Sequence, residues 1–357
     1  MTFVFRSTQT EPAARGREFG EAHAHRIHAG VERYRALFER VAQGPFDIHA
    51  MGAQALESIA RFAAPLHAEI EGMAEGANID VRLLGAINAR TEILAALHAP
   101  LRGECSTVVQ VDAHSAHAVA VQTWDWYAEF ADQWLTWEIP HADGRLTTTV
   151  TEFGIVGKAG VNDRGIGVHF NILHHERDGA SIGVPVHVAS RWMLDTCGDV
   201  NEALQLLASV EVSASSSLTV IAAADNSSTA ISVELHPGGP GFVFPDASGL
   251  LVHTNHFLSS PAAAGDTEPR QYPDTLVRHD LLTRRLAGRA KLSALQVIGA
   301  MNNHLGTTGA LCCHPDPALP ESGQYATLAT IVIDVARGTL RALRGGPCHH
   351  VQLLAAA

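Results

Sequence analysis

The chain has 357 residues, of which 46% are hydrophobic and 17% charged, enough apolar material for one large core or two smaller ones. The formal net charge is −12, from 25 Lys and Arg against 37 Asp and Glu. Because nucleic acids and anionic membranes are bound by basic surfaces, this balance argues against both as main partners. The sequence also lacks an apolar run of the roughly 18 residues that a membrane-spanning helix needs.

The N-terminal stretch and the cysteines indicate a cellular compartment. Residues 1–20 show no basic start followed by an apolar stretch and a small-residue cleavage site, so we expect no signal peptide. The cysteines are Cys105, Cys197, Cys312, Cys313 and Cys348. Their odd number and irregular spacing do not suit a disulfide framework. The sequence therefore predicts a soluble, cytoplasmic protein.

The first hundred residues have a helical pattern. Apolar or aromatic residues recur every three or four positions from Phe19 to Val41, which predicts one long amphipathic helix. A second apolar stripe runs from Leu66 to Met73 and ends at EGANID. Asp80 then stands where it can cap a further helix over VRLLGAINARTEILAAL.

Strand-like runs begin after Cys105. Val, Ile, Thr and aromatic residues are concentrated in STVVQVDA, HAVAVQTWDW, LTTTVTEFGIVGKAGV and GIGVHFNIL. The NDRG at 162–165 predicts a hairpin turn between the last two runs. A pair of helices is then predicted over PVHVASRWMLDTC and DVNEALQLLASV, with Asp199 at the N-cap of the second.

The rest of the chain alternates strands with a second pair of helices. Strands are predicted in SLTVIAAADNSSTAISVELHP, with a turn at 225–228, and in GLLVHTNHF. The helices DTLVRHDLLTRRL and KLSALQVIGAMNN precede a closing hairpin around Arg337 and Gly338, and residues 260–272 have the composition of a surface loop. Short turns favour antiparallel pairing, and paired helices must cover sheet faces. We therefore expect an α+β protein, an antiparallel sheet sandwich with helical outer layers.

Cys105 is the first residue with a possible catalytic role, in the stretch LRGECSTVVQV. Taken alone, a cysteine at the start of a strand is more often a small buried residue than a nucleophile. A thiol needs a base, and cleavage of the peptide bond before Cys105 would create an α-amine with a pKa of about 7.7–8.0 on the same residue. Such a site also needs donors for the developing oxyanion and a polar group that fixes the amine.

Three further residues could complete this site. Asp125, in QTWDW, ends a strand that could pair with the Cys105 strand and so return beside its start. Asn171 and Asn255 each end an apolar strand, where a side-chain amide can point into a cleft. Considered singly, Asp125 and Asn255 are more typical of turns.

The segments INARTEI, ECST, QTWDW, TEFGIVGKAGVNDRGIGVHFNIL and HTNHF occur in an order that resembles the acyl-coenzyme A:6-aminopenicillanic acid acyltransferase family. Its members are self-processing N-terminal-nucleophile hydrolases, and the resemblance runs from about residue 15 to the closing hairpin. It implies a single four-layer αββα domain over residues 1–357. Cleavage before Cys105 would divide this precursor into a helix-rich α chain, 1–104, and a β chain, 105–357.

The resemblance also implies roles for individual residues. Cys105 would be the nucleophile for both processing and turnover, and Asp125 would orient its new amine and its thiol. Asn255 would donate its amide to the oxyanion, helped by Asn171, a position suggested by the related bile-salt and penicillin V acylases. Glu104 stands where the family's best-known member has glycine, so cleavage between Glu104 and Cys105 would proceed without the backbone freedom that glycine gives.

Secondary candidates for substrate binding or support are Gln122, Trp124, Glu152, Thr107 and Arg90. Trp124 is more typical of a core or a cleft wall, and Arg90 of a buried ion pair that braces the sheet. Glu152 is either a second carboxylate near the cleft or a solvated edge residue. Gln122 precedes Asp125 by three residues, so it projects to the opposite face of the strand unless a bulge intervenes.

The 21 histidines call for a search for metal ligands. HAHRIH, the HH at 174, CCHPD at 312 and CHH at 348 contain possible ligands, but no H-E-x-x-H and no paired C-x-x-C occurs. The sequence therefore predicts no metal and no cofactor.

Amide hydrolysis through an acyl-enzyme is the favoured function, with a small-molecule amide or thioester as substrate, because water is always present as an acceptor. Acyl transfer to an amine stays open. So does an unprocessed, inert relative that binds a ligand with the same fold. A metal-dependent amidase that uses the histidine clusters would reveal itself through sensitivity to chelators. The sequence does not define the acyl group, the leaving amine or the oligomeric state, and a homo-oligomer is possible.

Overall fold

A computed structural model of the chain describes residues 3–99, 105–289, 291–306 and 310–350. The α-helices in these ranges are α1 (Pro12–Val41), α2 (Ile48–Phe62), α3 (Ala64–Ala77), α4 (Val81–Asn88), α5 (Arg90–Ala96), α6 (Val186–Thr196), α7 (Val200–Ala208), α8 (Ser260–Ala263), α9 (Glu268–Gln271), α10 (Asp274–Leu286) and α11 (Ala294–Met301). The strands are β1 (Val4–Arg6), β2 (Ser106–Asp112), β3 (Ser115–Tyr127), β4 (Trp134–Pro140), β5 (Leu146–Glu152), β6 (Ala159–Asn162), β7 (Ile166–Ile172), β8 (Ser216–Ala224), β9 (Ser227–Leu235), β10 (Gly241–Val243), β11 (Leu250–His253), β12 (Tyr325–Asp334) and β13 (Thr339–Arg344).

The strands form two stacked sheets. The larger has the order β1-β4-β5-β6-β7-β8-β9-β10 and the smaller the order β11-β2-β3-β12-β13. Within the described ranges β1 and β4 are the parallel neighbours, and the other neighbours run antiparallel. In the stack, β2 and β3 of the smaller sheet contact β7, β8 and β9 of the larger one. Antiparallel pairing, predicted from the short turns, is confirmed.

Helices cover the outer faces of both sheets. On the larger sheet, α6 contacts β5, β6 and β7, while α7 contacts β8 and β9. On the smaller sheet, α10 contacts β2 and β11, and α11 contacts β3. Ser106 bonds to Arg278 of α10, whereas the next residue, Thr107, bonds to Asn171 of β7. Because successive strand side chains point to opposite faces, α10 and β7 lie on opposite sides of β2. The layers are therefore helix, sheet, sheet and helix, and the predicted αββα sandwich is confirmed.

The N-terminal helices pack unusually closely. The long helix predicted from Phe19 to Val41 is α1, and it lies against α3. A Cβ atom at Gly16 would overlap the backbone carbonyl of Glu69, so the two helices touch through their backbones there. Glycine is therefore required at this crossing, since any side chain would push the helices apart.

The helix predicted after Asp80 is interrupted. Asp80 caps it as expected, with its carboxylate accepting from the backbone N–H of Arg82 at 2.9 Å. The chain then leaves helical geometry at Ala89, which separates α4 from α5. The side chain of Asn88 donates to the Gly154 carbonyl at 2.8 Å and accepts from the Val156 N–H at 3.0 Å. The Asn88 Nδ2 also donates to the Leu84 carbonyl at 2.9 Å, and a side-chain bond to the carbonyl four residues back tends to bend a helix.

The predicted hairpins are present, and one predicted loop is wrong. The 162–165 turn joins β6 to β7, the 225–228 turn joins β8 to β9, and the closing hairpin joins β12 to β13. Residues 260–272, expected to form a surface loop, instead contain α8 and α9. Each of these short helices has a proline in its first turn, where the fixed φ of proline suits a helix start.

Apolar side chains fill the space on both sides of the smaller sheet. The larger core lies between the two sheets and beneath the N-terminal helices, and a second core lies between the smaller sheet, α10 and α11. Among the described residues, no helix is both long and apolar enough to cross a bilayer.

Candidate active site

Cys105 lies immediately before β2 and is buried, with only 3% of its surface exposed. The register of the β2–β3 pair places Ser106 opposite Thr123, so the chain at Asp125 returns beside Cys105. This is the juxtaposition expected from a hairpin of that length. Asp125 is itself buried, and it lies opposite Thr327 of β12.

Two side chains hold the backbone carbonyl of Cys105. The Asn171 amide donates to this oxygen at 3.0 Å, and the Arg278 guanidinium donates to it at 3.1 Å. Arg278 also donates to the Ser106 hydroxyl and to the Asn255 Oδ1, each at 3.1 Å. A single planar guanidinium on α10 therefore links the nucleophile candidate to Asn255. The sequence did not identify Arg278.

Asn255 is fully buried just after β11. Its Oδ1 accepts from Arg278, and its Nδ2 donates to the Ile172 carbonyl at 2.8 Å. The partners on both sides define which end of the amide is nitrogen. Because an amide nitrogen carries two N–H groups, this contact commits one of the two.

Thr107 and Gln122 support Asn171. The Thr107 hydroxyl donates to the Asn171 Oδ1 at 2.7 Å, and the Gln122 amide donates to Thr107 Oγ1 at 3.0 Å and to the Phe170 carbonyl at 2.6 Å. Thr107 and Gln122 are paired across β2 and β3, with no register shift up to Ser106. Gln122 therefore points to the strand face opposite to that of Asp125, as expected for a regular strand. It contacts the site through Asn171.

Arg90, Glu152, Lys158 and Tyr34 form a buried charged group that we call the Glu152 cluster. Glu152 Oε2 lies 3.2 Å from Arg90 Nη2 and 3.1 Å from Lys158 Nζ, and its Oε1 accepts a hydrogen bond from Tyr34. Arg90 forms the buried ion pair that the sequence suggested. Glu152 is only 2% exposed, which excludes a solvated edge position.

Lys158 connects this cluster to the strand that carries Asp125. Its Nζ lies 4.3 Å from the centroid of the Trp124 ring, so Trp124 is a wall residue in contact with a cation. Burial, with help from the nearby Arg90 charge, lowers the pKa of Lys158 to about 8. Lys158 was not identified from the sequence. Its position within the apolar run GIVGKAGV indicates a buried lysine, and buried lysines are rare unless they are paired.

The Cys105 thiol is in its neutral form at pH 7. Burial, and next the negative charge of Asp125, raise the pKa of Cys105 to about 11, against the opposing effects of the Asp125 backbone, Lys158 and Arg278. At neutral pH only about one thiol in ten thousand would be ionised. A group that accepts the thiol proton is therefore needed when Cys105 attacks. Glu104, the other side of the expected cleavage point, lies outside the described residues.

A pocket opens beside Ile172, the residue whose carbonyl holds Asn255. It contains about 740 Å³ of empty space, part of which is open to solvent. Its walls include Thr91, Leu94, His98, Leu173, His174 and Asp178. Among the described residues, the one group of His, Cys, Asp and Glu side chains close enough to share a metal ion contains neither Cys105 nor Asp125.

Two stacked sheets between helical layers, with Cys105 at the start of an inner strand of the smaller sheet, define the fold of the N-terminal-nucleophile hydrolases. The model of the acyl-coenzyme A:6-aminopenicillanic acid acyl-transferase family matches residues 113–347, about two thirds of the chain. This chain belongs to that family.

A relative with the same name as the family agrees with this assignment. The 40 kDa form of acyl-coenzyme A:6-aminopenicillanic-acid-acyltransferase from Emericella nidulans is 29% identical over 220 residues. The match covers 62% of this chain and 59% of that protein, so this chain spans about three fifths of its relative's length.

Solved structures that are similar to this chain include two with low sequence identity. The Caenorhabditis elegans orthologue of N-acylethanolamine-hydrolyzing acid amidase has a TM-score of 0.45 and 14% identity, with 67% of this chain and 100% of that chain covered. Penicillin V acylase from Agrobacterium tumefaciens has a TM-score of 0.42 and 14% identity, with coverage of 66% and 82%.

Proposed function

We propose that this chain is a self-processing cysteine amidohydrolase that cleaves a small-molecule amide through an acyl-enzyme. The observation that carries the proposal is the position of Cys105. It immediately precedes β2 and lies beside Asp125, while Asn171 and Arg278 hold its carbonyl. Membership of a family named for acyl transfer supports the same kind of chemistry. The active form would consist of an α chain, 1–104, and a β chain, 105–357.

Maturation would begin with attack of the Cys105 sulfur on the carbonyl carbon of residue 104. A carbon–sulfur bond forms, the peptide C–N bond breaks, and the released nitrogen takes the thiol proton. Water then hydrolyses the resulting thioester and leaves residue 104 with a carboxylate. The product has an α-amine and a thiol on the same residue, which supplies the missing base.

Turnover would use this amine as the general base. It takes the proton from the Cys105 thiol as the sulfur attacks the substrate's acyl carbon, and a tetrahedral oxyanion forms. When the oxyanion collapses, the substrate C–N bond breaks and the leaving amine takes the proton. Water attacks the thioester next, releases the acid and restores the thiol.

Asn255 is the candidate donor to the oxyanion. Arg278 fixes its Oδ1, so the nitrogen end has a defined direction and one of its N–H groups is available for the oxyanion. A preorganised donor of this kind needs no rearrangement as charge develops. Asn171 uses one N–H on the Cys105 carbonyl, which makes it a positioning residue in our proposal. The pocket beside Ile172 would receive part of the substrate.

The experiment that tests the proposal replaces Cys105 with alanine. Cys105→Ala should leave the chain at full length and without hydrolysis of any amide that the unaltered protein cleaves. Cys197→Ala, which also removes a buried thiol, serves as the matched control and should retain cleavage and activity. A cleaved or hydrolytic Cys105→Ala chain would contradict the mechanism.

Acyl transfer is the second candidate, because both the matching family and the Emericella nidulans relative are named as acyltransferases. The acyl-enzyme would then be attacked by an amine in place of water. Incubation of the processed protein with an acyl thioester and increasing 6-aminopenicillanic acid separates the two functions. A rise in the amide product at the expense of free acid would indicate transfer, and unchanged acid release would indicate hydrolysis.

A further inference from the structure

Four potential metal ligands meet at the edge of the smaller sheet. His304 follows α11, Cys312 and His314 precede β12, and Cys348 follows β13. One ligand atom from each of the four lies within 4.8 Å of all the others. Cys312 is fully buried and His304 is exposed, so the group lies at the boundary between core and solvent.

The three distances from His314 to the other members of this group fit a tetrahedral metal centre. His304 Nε2 lies 3.1 Å from His314 Nε2, which lies 3.6 Å from Cys312 Sγ and 3.5 Å from Cys348 Sγ. Around zinc, bonds of about 2.0–2.1 Å to nitrogen and about 2.3 Å to sulfur place two nitrogens about 3.3 Å apart in a tetrahedron. The same geometry places nitrogen and sulfur about 3.5 Å apart, close to both observed values.

Hydrogen bonding alone does not account for this arrangement. The Nε2 atom of His314 faces three partners, namely the second imidazole and two sulfur atoms. A ring nitrogen carries either one N–H or one lone pair, so it can satisfy one of them in the plane of the ring. Four metal-ligating atoms this close together are instead the arrangement that a bound cation requires.

We propose that His304, Cys312, His314 and Cys348 hold one zinc ion in a Cys₂His₂ site. Because four protein ligands fill a tetrahedral shell, the ion has no open position for water and would have a structural role. It would join the segment before β12 to the segment after β13. The proposal is independent of the reaction at Cys105.

The surrounding backbone holds the ligands in place without the ion. The Cys312 N–H donates to the Asn303 carbonyl at 3.1 Å. Next to it, the Cys313 N–H donates to Thr327 Oγ1 at 2.9 Å, and the Thr327 N–H donates to the Cys313 carbonyl at 3.0 Å. Thr327 is the β12 residue opposite Asp125. The metal site would therefore fix the strand end that flanks Asp125.

The first test is metal analysis of the unaltered full-length protein, purified with a reductant and without a chelator. We expect one zinc ion per chain. Replacement of zinc by Co²⁺ should give the visible bands of a tetrahedral centre and a thiolate-to-cobalt charge-transfer band in the near ultraviolet. No bound metal after reconstitution, or an octahedral cobalt spectrum without thiolate bands, would overturn the proposal.

The second test uses variants in the same background. Cys348→Ser and His314→Gln should each lose stoichiometric zinc and the cobalt bands. Cys313→Ser is the matched control, because the Cys313 thiol donates to the Tyr325 carbonyl at 3.6 Å and is outside the four-residue group. It should retain both. Retention of stoichiometric zinc by Cys348→Ser or by His314→Gln would contradict the site.

Discussion

Two clusters of buried charged side chains in this molecule differ in how many of their polar atoms have hydrogen-bond partners. One is the Glu69 cluster, which consists of Arg15, Glu69, Arg191 and Asp195. Arg191 donates to Asp195 at 2.8 Å, to Glu69 at 2.9 Å and to the Val156 carbonyl at 2.9 Å. Arg15 donates through its Nε to Glu69 at 2.8 Å and through its Nη1 to the Thr10 carbonyl at 2.9 Å.

The Glu152 cluster is the other. Among the described residues, the three guanidinium nitrogens of Arg90 have no hydrogen-bond partner, although one lies 3.2 Å from Glu152. Arg90 is held instead by its position 4.4 Å from the centroid of the Trp126 ring. The cluster also contains Lys158, whose pKa burial lowers.

This difference indicates that the Glu69 cluster stabilises the fold, whereas the Glu152 cluster can influence a reaction. A buried ion network stabilises a fold only when its members satisfy one another, as in the Glu69 cluster. Incompletely satisfied charges with shifted pKa values are concentrated at functional sites. The Glu152 cluster lies near Cys105, and the Lys158 charge lowers the pKa of that thiol. We therefore expect substitutions in the two regions to differ in whether they change stability or rate.

The largest effect is expected from Glu69→Gln. The substitution leaves the buried guanidinium groups of Arg15 and Arg191 without their shared carboxylate, which should cost about 3–5 kcal/mol of unfolding free energy. Urea unfolding measures this loss. Glu71→Gln, on the exposed face of the same helix, should change stability by less than about 0.5 kcal/mol. Equal stability of the two variants would contradict the claim that the Glu69 cluster stabilises the fold.

Asn255→Ala should show its effect in the rate. Loss of one oxyanion donor lowers kcat by about 10²–10³-fold, or about 2.7–4 kcal/mol of transition-state stabilisation, with a smaller change in KM. Steady-state kinetics of the processed variant measures this loss, and Asn201→Ala, at an exposed position in α7, is the control. A normal kcat for processed Asn255→Ala would exclude an oxyanion role.

Acid should weaken the Glu69 cluster through Asp195. Burial alone would raise the pKa of Asp195, but the Arg191 charge, together with His141, outweighs it and lowers the pKa to about 2. A carboxylate with a lowered folded-state pKa stabilises the protein above its ordinary pKa, and this stabilisation is lost as the pH falls through the folded value. The contribution is roughly 2 kcal/mol, about half of it lost by pH 3.

The comparison of unaltered protein with Asp195→Asn measures this contribution. The difference in urea stability between the two proteins should narrow between pH 6 and pH 3. A difference that stays constant over this range would show that the carboxylate's charge is not what stabilises the cluster.

The smallest effect is expected from Lys158→Met. Without this positive charge the pKa of the Cys105 thiol should rise further, and kcat/KM should fall by about tenfold for a rise of one unit. Stability should fall less than in Glu69→Gln, because Arg90 and Tyr34 still contact the Glu152 carboxylate after Lys158 has been removed. Lys291→Met is the matched control, since Lys291 is exposed. A large loss of stability without a change in rate would show that Lys158 has a structural role, like the residues of the Glu69 cluster.

Much of the fold follows from local patterns. The strands β2, β3, β5 to β9 and β11 to β13 coincide with apolar runs, and most of the turns between them have the residues that tight turns require. The helix α2 and the strand β4 were not predicted. The break at Ala89 follows Asn88, whose side chain bonds to residues more than 60 positions away. Contacts of that separation leave no periodic signal.

The same limit applies to the sites. Cys105 and Asp125 were found because a hairpin brings them together, and because short motifs accompany them. Arg278 lies in an ordinary amphipathic helix, and only the fold brings it to Asn255. The four proposed metal ligands come from three segments, so neither CCHPD nor CHH contains a complete ligand set by itself. The sequence prediction of no metal site rested on local spacing.

The most direct test of the central claim is an intact mass spectrum of the purified protein under denaturing, reducing conditions. We predict two species, one of which begins at Cys105 and contains the rest of the chain. Edman sequencing of that species should give Cys-Ser-Thr-Val. A single full-length mass that persists at neutral pH, in protein that hydrolyses an amide, would contradict activation by self-cleavage. The same mass without any activity would instead favour an unprocessed ligand-binding relative.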